Sequence, residues 1–227
     1  MSSNFHPDGT LFIVSGPSGA GKTTLINTVR AQLEPIGITL YFSVSHTTRR
    51  PRTGEIDGIS YHFVPAERFA AMAERGEFIE CAFVHEQRYG TSKSEVVSRL
   101  KEGKDVILDI DYQGARQIAT DAELKQRSLN IFIFPPSFDH LEQRLRDRGL
   151  NSEDEIQTRL QKAADEIDAA KEFYDYVIIN DVLDVAAECL KAAIIAKKLQ
   201  TKAALEAITA MAERLKGERD GRFARGH

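Results

Sequence analysis

One glycine-rich octapeptide near the start of the chain constrains the fold more than any other feature. It runs from Gly16 to Thr23 as GPSGAGKT. It follows a short apolar run, Leu11–Ser15, and leads into an amphipathic run, Lys22–Leu33, so it predicts a loop between a strand and a helix. Glycines let the backbone wrap an anion with its N–H groups, and the helix N-terminus adds positive potential. The pattern G-x-x-x-x-G-K-[ST] therefore predicts a phosphate-binding loop, in which Lys22 contacts phosphates and the Thr23 hydroxyl holds Mg²⁺.

Short apolar runs alternate with helical patterns along the rest of the chain, which favours an α/β fold with a parallel sheet flanked by helices. Beyond the first strand, apolar runs predict strands at residues 39–44, 61–64, 78–84, 106–111, 129–134 and 176–180. Ser92 with Glu95, and Ser152 with Glu155, have the spacing of capping boxes, so each pair predicts the start of a helix. The sequence has no internal repeat or low-complexity tract, which favours one core with inserted regions.

Charge and cysteine content exclude several classes of protein. Lys and Arg number 30 against 34 Asp and Glu, a formal net charge of −4, which excludes a general nucleic-acid binder. The two cysteines, Cys81 and Cys189, form no CxxC pair, so they predict neither a zinc nor a redox motif and favour a reducing compartment. No apolar run approaches the ~20 residues that span a bilayer. We therefore expect a cytoplasmic protein with no nucleic-acid or membrane partner.

Two further segments carry side chains suited to phosphate or metal chemistry. Residues 45–55 (SHTTRRPRTGE) form a short basic loop, and Arg guanidinium groups match the geometry of phosphates; a solvated surface loop fits the same pattern. The predicted strand 106–111 ends in Asp109 and Asp111, at the end of a parallel strand where ligands bind. Either carboxylate could reach a metal ion or a second nucleotide, or cap the helix that follows.

Six segments of the chain together resemble the guanylate kinase family. They are GPSGAGKT (16–23), SHTTRRPRTGEIDGISY (45–61), FIE (78–80), YGTS (89–92), LDIDYQG (108–114) and VIIND (177–181). Their order and approximate spacing match the family, and the resemblance extends over residues 11–196. The second segment is more specific than the first, because it belongs to the acceptor site rather than to phosphate-loop proteins in general.

The resemblance implies a binding site for GMP as the phosphate acceptor. In the family, the GMP phosphate is held by arginines and tyrosines that match Arg49, Arg52, Tyr61 and Tyr89. The guanine is read by residues that match Ser45, Glu80, Thr91 and Asp111. A carboxylate at position 80 can accept hydrogen bonds from both N1–H and N2–H₂ of guanine, whereas N1 of adenine offers only a lone pair. One glutamate can therefore reject AMP as well as attract GMP.

The resemblance also implies a donor site for ATP. The residues that match the family's ATP site are Gly16, Pro17, Ser18, Gly19, Ala20, Gly21, Lys22, Thr23 and Asn180. The catalytic set that surrounds the transferring phosphoryl group matches Lys22, Arg144, Arg148 and Arg159. The implied cofactor is Mg²⁺, held by Thr23, with Asp109 contacting the outer ligands of the ion. No general base is needed, because a phosphate oxygen of GMP is already anionic.

The implied fold is a P-loop NTPase core with an inserted GMP-binding region of mixed strands and a helical lid. The expected boundaries are 11–44, 95–136 and 175–196 for the core, 45–94 for the GMP-binding region, 137–170 for the lid and 200–227 for a C-terminal helical extension. The extension carries an apolar stripe at Leu205, Ile208, Ala212 and Leu215. This stripe fits either packing on its own domain or a contact between subunits of a homo-oligomer, and both interpretations stay open.

The implied activity is transfer of the γ-phosphate of ATP to GMP, and to dGMP, giving ADP and GDP. Another nucleoside-monophosphate kinase is a second hypothesis, and the acceptor segment at 45–61 argues against it. A third is a guanylate-kinase-like interaction module without catalytic activity. Such a module needs neither Lys22 nor the arginines at 49 and 52, and all three are present. The sequence therefore favours the enzyme.

Overall fold

The computed structural model describes residues 9–84, 86–147, 152–200 and 211–213. The strands in these residues are β1 (Leu11–Ser15), β2 (Leu40–Phe42), β3 (His46–Thr47), β4 (His62–Phe63), β5 (Phe78–Val84), β6 (Gln87–Ser92), β7 (Asp105–Asp109), β8 (Ser128–Phe134) and β9 (Tyr176–Ile179). The helices are α1 (Lys22–Leu33), α2 (Ala66–Glu74), α3 (Lys93–Lys101), α4 (Tyr112–Thr120), α5 (Ala122–Arg127), α6 (Phe138–Asp147), α7 (Glu153–Ala169) and α8 (Leu183–Lys198).

A five-stranded parallel sheet forms the centre of the molecule, in the order β2-β7-β1-β8-β9. Every residue of β1 is buried, because helices cover both faces of a parallel sheet. Phe12 and Val14 pack on the side of α1 and α8, and Leu11 and Ile13 pack on the side of α3 and α4. The α/β fold with a parallel sheet is thus confirmed.

The strand order places the ends of β1 and β7 next to each other. Val14 of β1 pairs with Asp109 of β7, so the octapeptide that follows β1 emerges beside Asp109. Ligands of open parallel sheets bind at the carboxyl ends of the strands. The fold therefore brings the predicted phosphate loop and the predicted acidic strand end to one place.

A second, four-stranded sheet lies between β2 and α3 in the chain, in the order β4-β3-β6-β5. Its β3–β4 pair is parallel, while β3–β6 and β5–β6 are antiparallel, so its strands are mixed as expected. Helices α6 and α7 form a separate small apolar cluster through Leu141, Leu145, Ile156 and Ala163. The boundaries assigned to the core, acceptor region and lid remain predictions.

Several local expectations differ from the structure. The sequence analysis did not predict β3, β6 or α5. The helix left open after Asp111 is present as α4. The capping box expected at Ser92 forms only in part: the Ser92 hydroxyl accepts from the Glu95 N–H, but the Glu95 carboxylate accepts from the Tyr41 hydroxyl instead of reaching back. At Ser152 and Glu155 both halves of the box are present. Most of the expected C-terminal extension lies outside the described residues, including Leu205, Ile208 and Leu215.

Candidate active site

The phosphate loop presents the N-terminus of α1 to the cleft. Gly21, the residue before the helix, has a left-handed backbone with φ of 84°, which favours glycine. A Cβ at that position would lie 2.5 Å from Nδ2 of Asn180. No side chain caps the helix, and its first turn has no acidic residue. The N–H groups of this turn are therefore available to an anion.

Lys22 and Thr23 both meet Asp109 across the sheet. Nζ of Lys22 donates to the Gly16 carbonyl oxygen at 2.8 Å and lies 3.7 Å from Oδ1 of Asp109. The Thr23 hydroxyl donates to Oδ2 of Asp109 at 2.7 Å. A hydroxyl and a carboxylate oxygen at this distance are hard ligands of the kind that Mg²⁺ prefers, so the residues present fit this ion.

Few protein ligands surround this pair. Among the described residues, no cluster of three or more His, Cys, Asp or Glu side chains is placed to hold a metal ion. Mg²⁺ commonly takes one or two protein oxygens and completes its shell with phosphates and water. The Thr23–Asp109 pair suits an ion that binds together with a nucleotide.

One arginine of the segment expected to form a lid reaches the phosphate loop directly, and a second reaches it through Asn180. Nη1 of Arg159, on α7, donates to the Ser18 hydroxyl at 2.7 Å. Nη2 of Arg144, on α6, donates to the Asn180 carbonyl oxygen at 3.0 Å, and Nδ2 of Asn180 donates to the Ala20 carbonyl oxygen at 2.7 Å. Arg159 therefore lies in the cleft beside the loop, while Arg144 supports the loop through Asn180. The third expected arginine, Arg148, is outside the described residues.

Apolar side chains of α6 also touch the loop. A Cβ at Gly19 would lie 2.8 Å from Cδ1 of Leu141 and 3.4 Å from Cδ2 of Leu145. These two leucines belong to the lid cluster. The absence of a side chain at position 19 thus lets the lid cluster rest directly on the phosphate loop.

A group of aromatic and basic side chains faces the loop from the second sheet. The Arg49 guanidinium lies 5.4 Å from the ring centre of Tyr61, and the rings of Tyr61 and Tyr89 are 5.8 Å apart. Burial raises the pKa of Tyr61 to about 12, and the negative charge of Asp109 adds to the effect. The Tyr61 hydroxyl therefore stays protonated and can donate to an anion.

Glu55 organises the basic loop, and sequence reasoning had not assigned it to the site. Its carboxylate accepts from Nη2 of Arg49 and from the backbone N–H of Arg52, both at 2.7 Å. The hydrogen bond from Arg49 lowers the pKa of Glu55 below its usual value. In the sequence, Glu55 stands three residues after Arg52 in a tight loop. That spacing is too common to predict a role for Glu55 in the site.

Glu80 is the most deeply buried carboxyl group of the site, with 3% of its surface exposed. The Thr91 hydroxyl donates to Oε1 of Glu80 at 2.6 Å and lies 3.3 Å from the Ser45 hydroxyl. Burial raises the pKa of Glu80 to about 7; the bond from Thr91 lowers it, and the charge of Asp111 raises it further. Three of the residues expected to read guanine are thus linked in one hydrogen-bonded chain.

Asp111 completes this end of the site and also caps a helix. Its Oδ1 accepts from the N–H of Gly114 at 3.0 Å, at the start of α4. Burial raises the pKa of Asp111, although bonds from the backbone N–H groups of Gly114 and Gln113 oppose the shift. The two interpretations left open from the sequence are compatible, because Asp111 caps α4 and also lines the cleft.

One cleft of about 640 Å³ joins the two ends. The expected site residues that line it are Gly16, Ser18, Gly19, Gly21, Lys22, Thr23, Ser45, Arg49, Arg52, Tyr61, Glu80, Tyr89, Asp109, Asp111 and Arg159. The expected residues outside that lining are Pro17, Ala20, Thr91, Arg144 and Asn180. Of these, Thr91 supports Glu80 from behind, and Asn180 and Arg144 support the phosphate loop.

Glu166 also lines the cleft, and sequence reasoning missed it. Burial raises the pKa of Glu166 to about 7; Lys22 lowers it and Asp111 raises it. Its signal was its position on α7, seven residues after Arg159, because residues two turns apart lie on one face of a helix. A face that places an arginine at the phosphate loop also places this carboxyl group beside the loop lysine.

The family model for guanylate kinase matches residues 8–197. The chain belongs to the guanylate kinase family. A guanylate kinase from Desulfotalea psychrophila is 47% identical over 194 residues, which cover 86% of this chain and 92% of the relative. A guanylate kinase from Methylobacillus flagellatus is 47% identical over 192 residues, covering 85% and 91%.

Membership of the guanylate kinase family agrees with the fold. The crystal structure of guanylate kinase from Anaplasma phagocytophilum superposes with a TM-score of 0.70 at 31% identity, covering 88% of this chain and 92% of that one. The P-loop core expected from the resemblance is thereby confirmed. Within the described parts of the chain, no helix is long and apolar enough to cross a membrane.

Proposed function

We propose that this chain transfers the γ-phosphate of ATP to GMP and to dGMP, giving ADP and GDP. The observation that carries this proposal is the single cleft, with the phosphate loop at one end and the buried Glu80 carboxyl group at the other. Membership of the guanylate kinase family supports the same activity. We include dGMP because the groups assigned to the acceptor contact its phosphate and base.

At the donor end, the backbone of residues 16–23 would wrap the ATP phosphates, and Lys22 would exchange its contact with Gly16 for phosphate oxygens. Thr23 and Asp109 would hold Mg²⁺, which would supply charge neutralisation on the phosphates. Arg144, Arg148 and Arg159 would bring positive charge to the transferring group. These groups stabilise charge and align the reactants, and none of them has to remove a proton.

At the acceptor end, Arg49 and Arg52 would bind the phosphate of GMP, with hydroxyl donors from Tyr61 and Tyr89. The basic loop is already ordered by Glu55, so less conformational freedom is lost on binding. Ser45, Glu80, Thr91 and Asp111 would read the guanine. The deep burial of Glu80 supports a role in selectivity, because a buried carboxylate without its partners is costly.

A catalytically inactive interaction module is the less favoured alternative. The contacts of Lys22 and Thr23 with Asp109 support a phosphate- and metal-binding role at one end of the cleft, and the Arg49–Glu55 pair supports a phosphate-binding role at the other end. A protein-interaction module without catalytic activity would require neither the phosphate loop nor the second group of cations. The curated relatives are themselves guanylate kinases.

ADP release, coupled to a spectrophotometric signal, tests the proposal. We expect turnover with ATP and GMP, a comparable signal with dGMP, and little with AMP, CMP or dTMP. The reaction without acceptor measures ATP hydrolysis and serves as the blank. Equal turnover with all monophosphates, or none with GMP, would overturn the proposal.

A further inference from the structure

Two glutamine side chains of α4 hold β5, the edge strand of the second sheet. Nε2 of Gln117 donates to the Cys81 carbonyl oxygen at 2.6 Å, and its Oε1 accepts from the Cys81 N–H at 3.0 Å. Nε2 of Gln113 donates to the Phe83 carbonyl oxygen at 3.4 Å. A side-chain amide has the same donor and acceptor as a peptide group. The two glutamines therefore act on the edge strand as a neighbouring strand would.

The spacing of these contacts follows from helix and strand geometry. Four residues of an α-helix advance about 6.0 Å, and two residues of a β-strand advance about 6.7 Å. Gln113 and Gln117 are four residues apart on α4, and they meet Phe83 and Cys81, which are two residues apart on β5. Alternate residues of a strand direct their backbone groups to the same edge, so the two repeats match.

The contacts of Gln113 and Gln117 with β5 form a seam between α4 and the second sheet, and this seam links two carboxyl groups, one on β5 and one at the start of α4. Glu80 precedes Cys81 on β5, and Asp111 caps α4. Nε2 of Gln113 also donates to Oδ2 of Asp111 at 3.3 Å. A Cβ at Gly114 would lie 2.2 Å from Oε2 of Glu80, so the helix backbone itself touches the carboxyl group. The distance between Glu80 and Asp111 thus depends on how α4 docks on β5.

We propose that Gln113 and Gln117 are positioning residues that set the spacing of Glu80 and Asp111 and thereby contribute to selectivity for guanine. The inference rests on the proposed function, because it concerns the acceptor site of that reaction. Binding sites need their groups held within about 0.5 Å of the productive geometry. Two side-chain amides that bond to backbone groups can hold α4 and β5 within that tolerance, because the helix and the strand are both rigid elements.

The stability of the chain should depend little on the Gln117 pair. The Cys81 backbone contacts are solvent-accessible, so water can replace the amide when it is removed. Removal of the Gln117 amide therefore weakens the contact between α4 and β5 without leaving a buried polar group unpaired. This separates a positioning role from a structural one, because a positioning role changes the acceptor constants and not the melting temperature.

The test uses Gln117→Met, which keeps the length of the side chain and removes its hydrogen bonds, with Gln113→Met and the double variant. Gln126→Met, an exposed position on α5, is the matched control. We expect Gln117→Met to lower kcat/KM for GMP about tenfold, because a small displacement of a group that contacts the substrate slows the reaction, and to narrow the ratio of kcat/KM for GMP to that for AMP. KM for ATP and the melting temperature should match the control.

Two further measurements keep the result decisive. Amide hydrogen exchange at Cys81 should be faster in Gln117→Met than in wild type, because the Cys81 N–H loses its hydrogen bond to Gln117. Gly114→Ala provides an independent displacement of Glu80, because the new Cβ would lie 2.2 Å from Oε2 of Glu80, while alanine suits a helix. It should narrow the same ratio even if a glutamine variant fails to fold.

The outcomes separate this inference from the proposed function. Faster exchange at Cys81 with an unchanged GMP-to-AMP ratio overturns the inference and leaves the kinase activity intact. A parallel loss of melting temperature and of all kinetic constants, ATP included, also overturns it, since that is a structural effect. A wild-type chain that does not phosphorylate GMP overturns both proposals.

Discussion

The Thr91 hydroxyl donates a 2.6 Å hydrogen bond to the carboxyl group of Glu80, and both side chains are buried. Thr91 lies directly across from Glu80 in the β5–β6 pair, so the sheet itself aligns donor and acceptor. One oxygen of Glu80 is thereby engaged from behind. The remaining hydrogen-bonding capacity of the carboxyl group can be directed at the base of an acceptor nucleotide.

Glu80→Gln should reduce kcat/KM for GMP and narrow the gap between GMP and AMP. A carboxylate accepts from both N–H groups of guanine, whereas an amide offers one acceptor and one donor and no longer repels N1 of adenine. Loss of a charged hydrogen bond is worth about 1.5–3 kcal/mol, or roughly 10- to 150-fold in specificity. Steady-state kinetics with both acceptors measures the effect.

Glu74→Gln is the matched control for that substitution, because Glu74 is exposed on α2. It should leave the GMP-to-AMP ratio unchanged, and thermal melting should confirm that both variants fold. An unchanged ratio in a folded Glu80→Gln variant would show that Glu80 does not read the base.

GMP binding should release a proton from Glu80 below neutral pH. Burial raises the pKa of Glu80 to about 7, and the N–H groups of guanine would favour its ionised form, so binding lowers that pKa. Affinity for GMP should therefore rise with pH up to about 7 and then level off. Calorimetry in buffers of different ionisation enthalpy counts the protons released on binding. The GMP phosphate can also release a proton, and it does so with Glu80→Gln as well, so the difference between wild type and variant gives the proton from Glu80.

The same pKa has the opposite effect on folding. A carboxyl group whose folded pKa lies above its unfolded value makes the folded state bind more protons. The contribution of Glu80 to the free energy of unfolding should therefore fall as the pH rises from about 4.5 to 7. Because Glu80→Gln lacks this group, the difference in unfolding free energy, wild type minus variant, should fall over the same pH range. A difference that stays constant or rises would contradict the assignment.

Lys22→Ala should abolish nearly all phosphoryl transfer while the chain stays folded. Nζ of Lys22 makes its contacts with the Gly16 carbonyl oxygen and with Asp109, and neither is part of the apolar core. Removal of one preorganised charge-stabilising donor costs about 10²- to 10³-fold in kcat. The measurement is kcat for ADP release, with circular dichroism for the fold.

Lys171→Ala serves as the control, because Lys171 pairs with Asp168 on the exposed surface. That variant should retain full activity. Transfer at close to the wild-type rate by folded Lys22→Ala would contradict the mechanism.

Glu166→Gln should strengthen ATP binding above neutral pH. The carboxyl group has a pKa raised to about 7 by burial and lies in the field of Lys22, so above that pH its charge opposes a triphosphate at the loop. Below that pH it is neutral and resembles the amide. The dissociation constant for ATP should therefore differ between variant and wild type at pH 8 and converge at pH 6.

Asp165→Asn removes a neighbouring charge that is exposed on the same helix, and screening by water should make its effect small. A difference between Glu166→Gln and wild type that is constant from pH 6 to 8 would argue against titration of Glu166.

Local sequence signals were sufficient for the elements that build the central sheet. β1 and α1 have the expected bounds, because an apolar run and a glycine-rich loop define them locally. β3 has only two residues and β6 is largely polar, so both depend on pairing with distant strands. The capping box at Ser92 forms only in part for a similar reason: Tyr41, far away in the chain, donates to the Glu95 carboxylate.

The residues of the site also fall into two groups, those with a local sequence pattern and those without one. The phosphate loop and the acceptor segments are contiguous motifs, so the sequence could identify them. Gln117 contacts Cys81 across 36 positions of sequence, and Glu166 approaches Lys22 only because α7 folds over the cleft. Such residues have no local pattern, and only the tertiary structure reveals their surroundings.

Helices α6 and α7 meet the phosphate loop through two kinds of contact that respond differently to solution conditions. Arg159 reaches Ser18 through a polar contact, and its attraction to phosphates weakens as ionic strength rises. Leu141 and Leu145 rest on Gly19 through apolar contact, which excluded co-solutes such as sucrose strengthen. Salt and osmolyte should therefore act independently on these two helices: salt weakens the attraction of Arg159 to an anion at the loop, and osmolyte strengthens the apolar packing of α6 on Gly19.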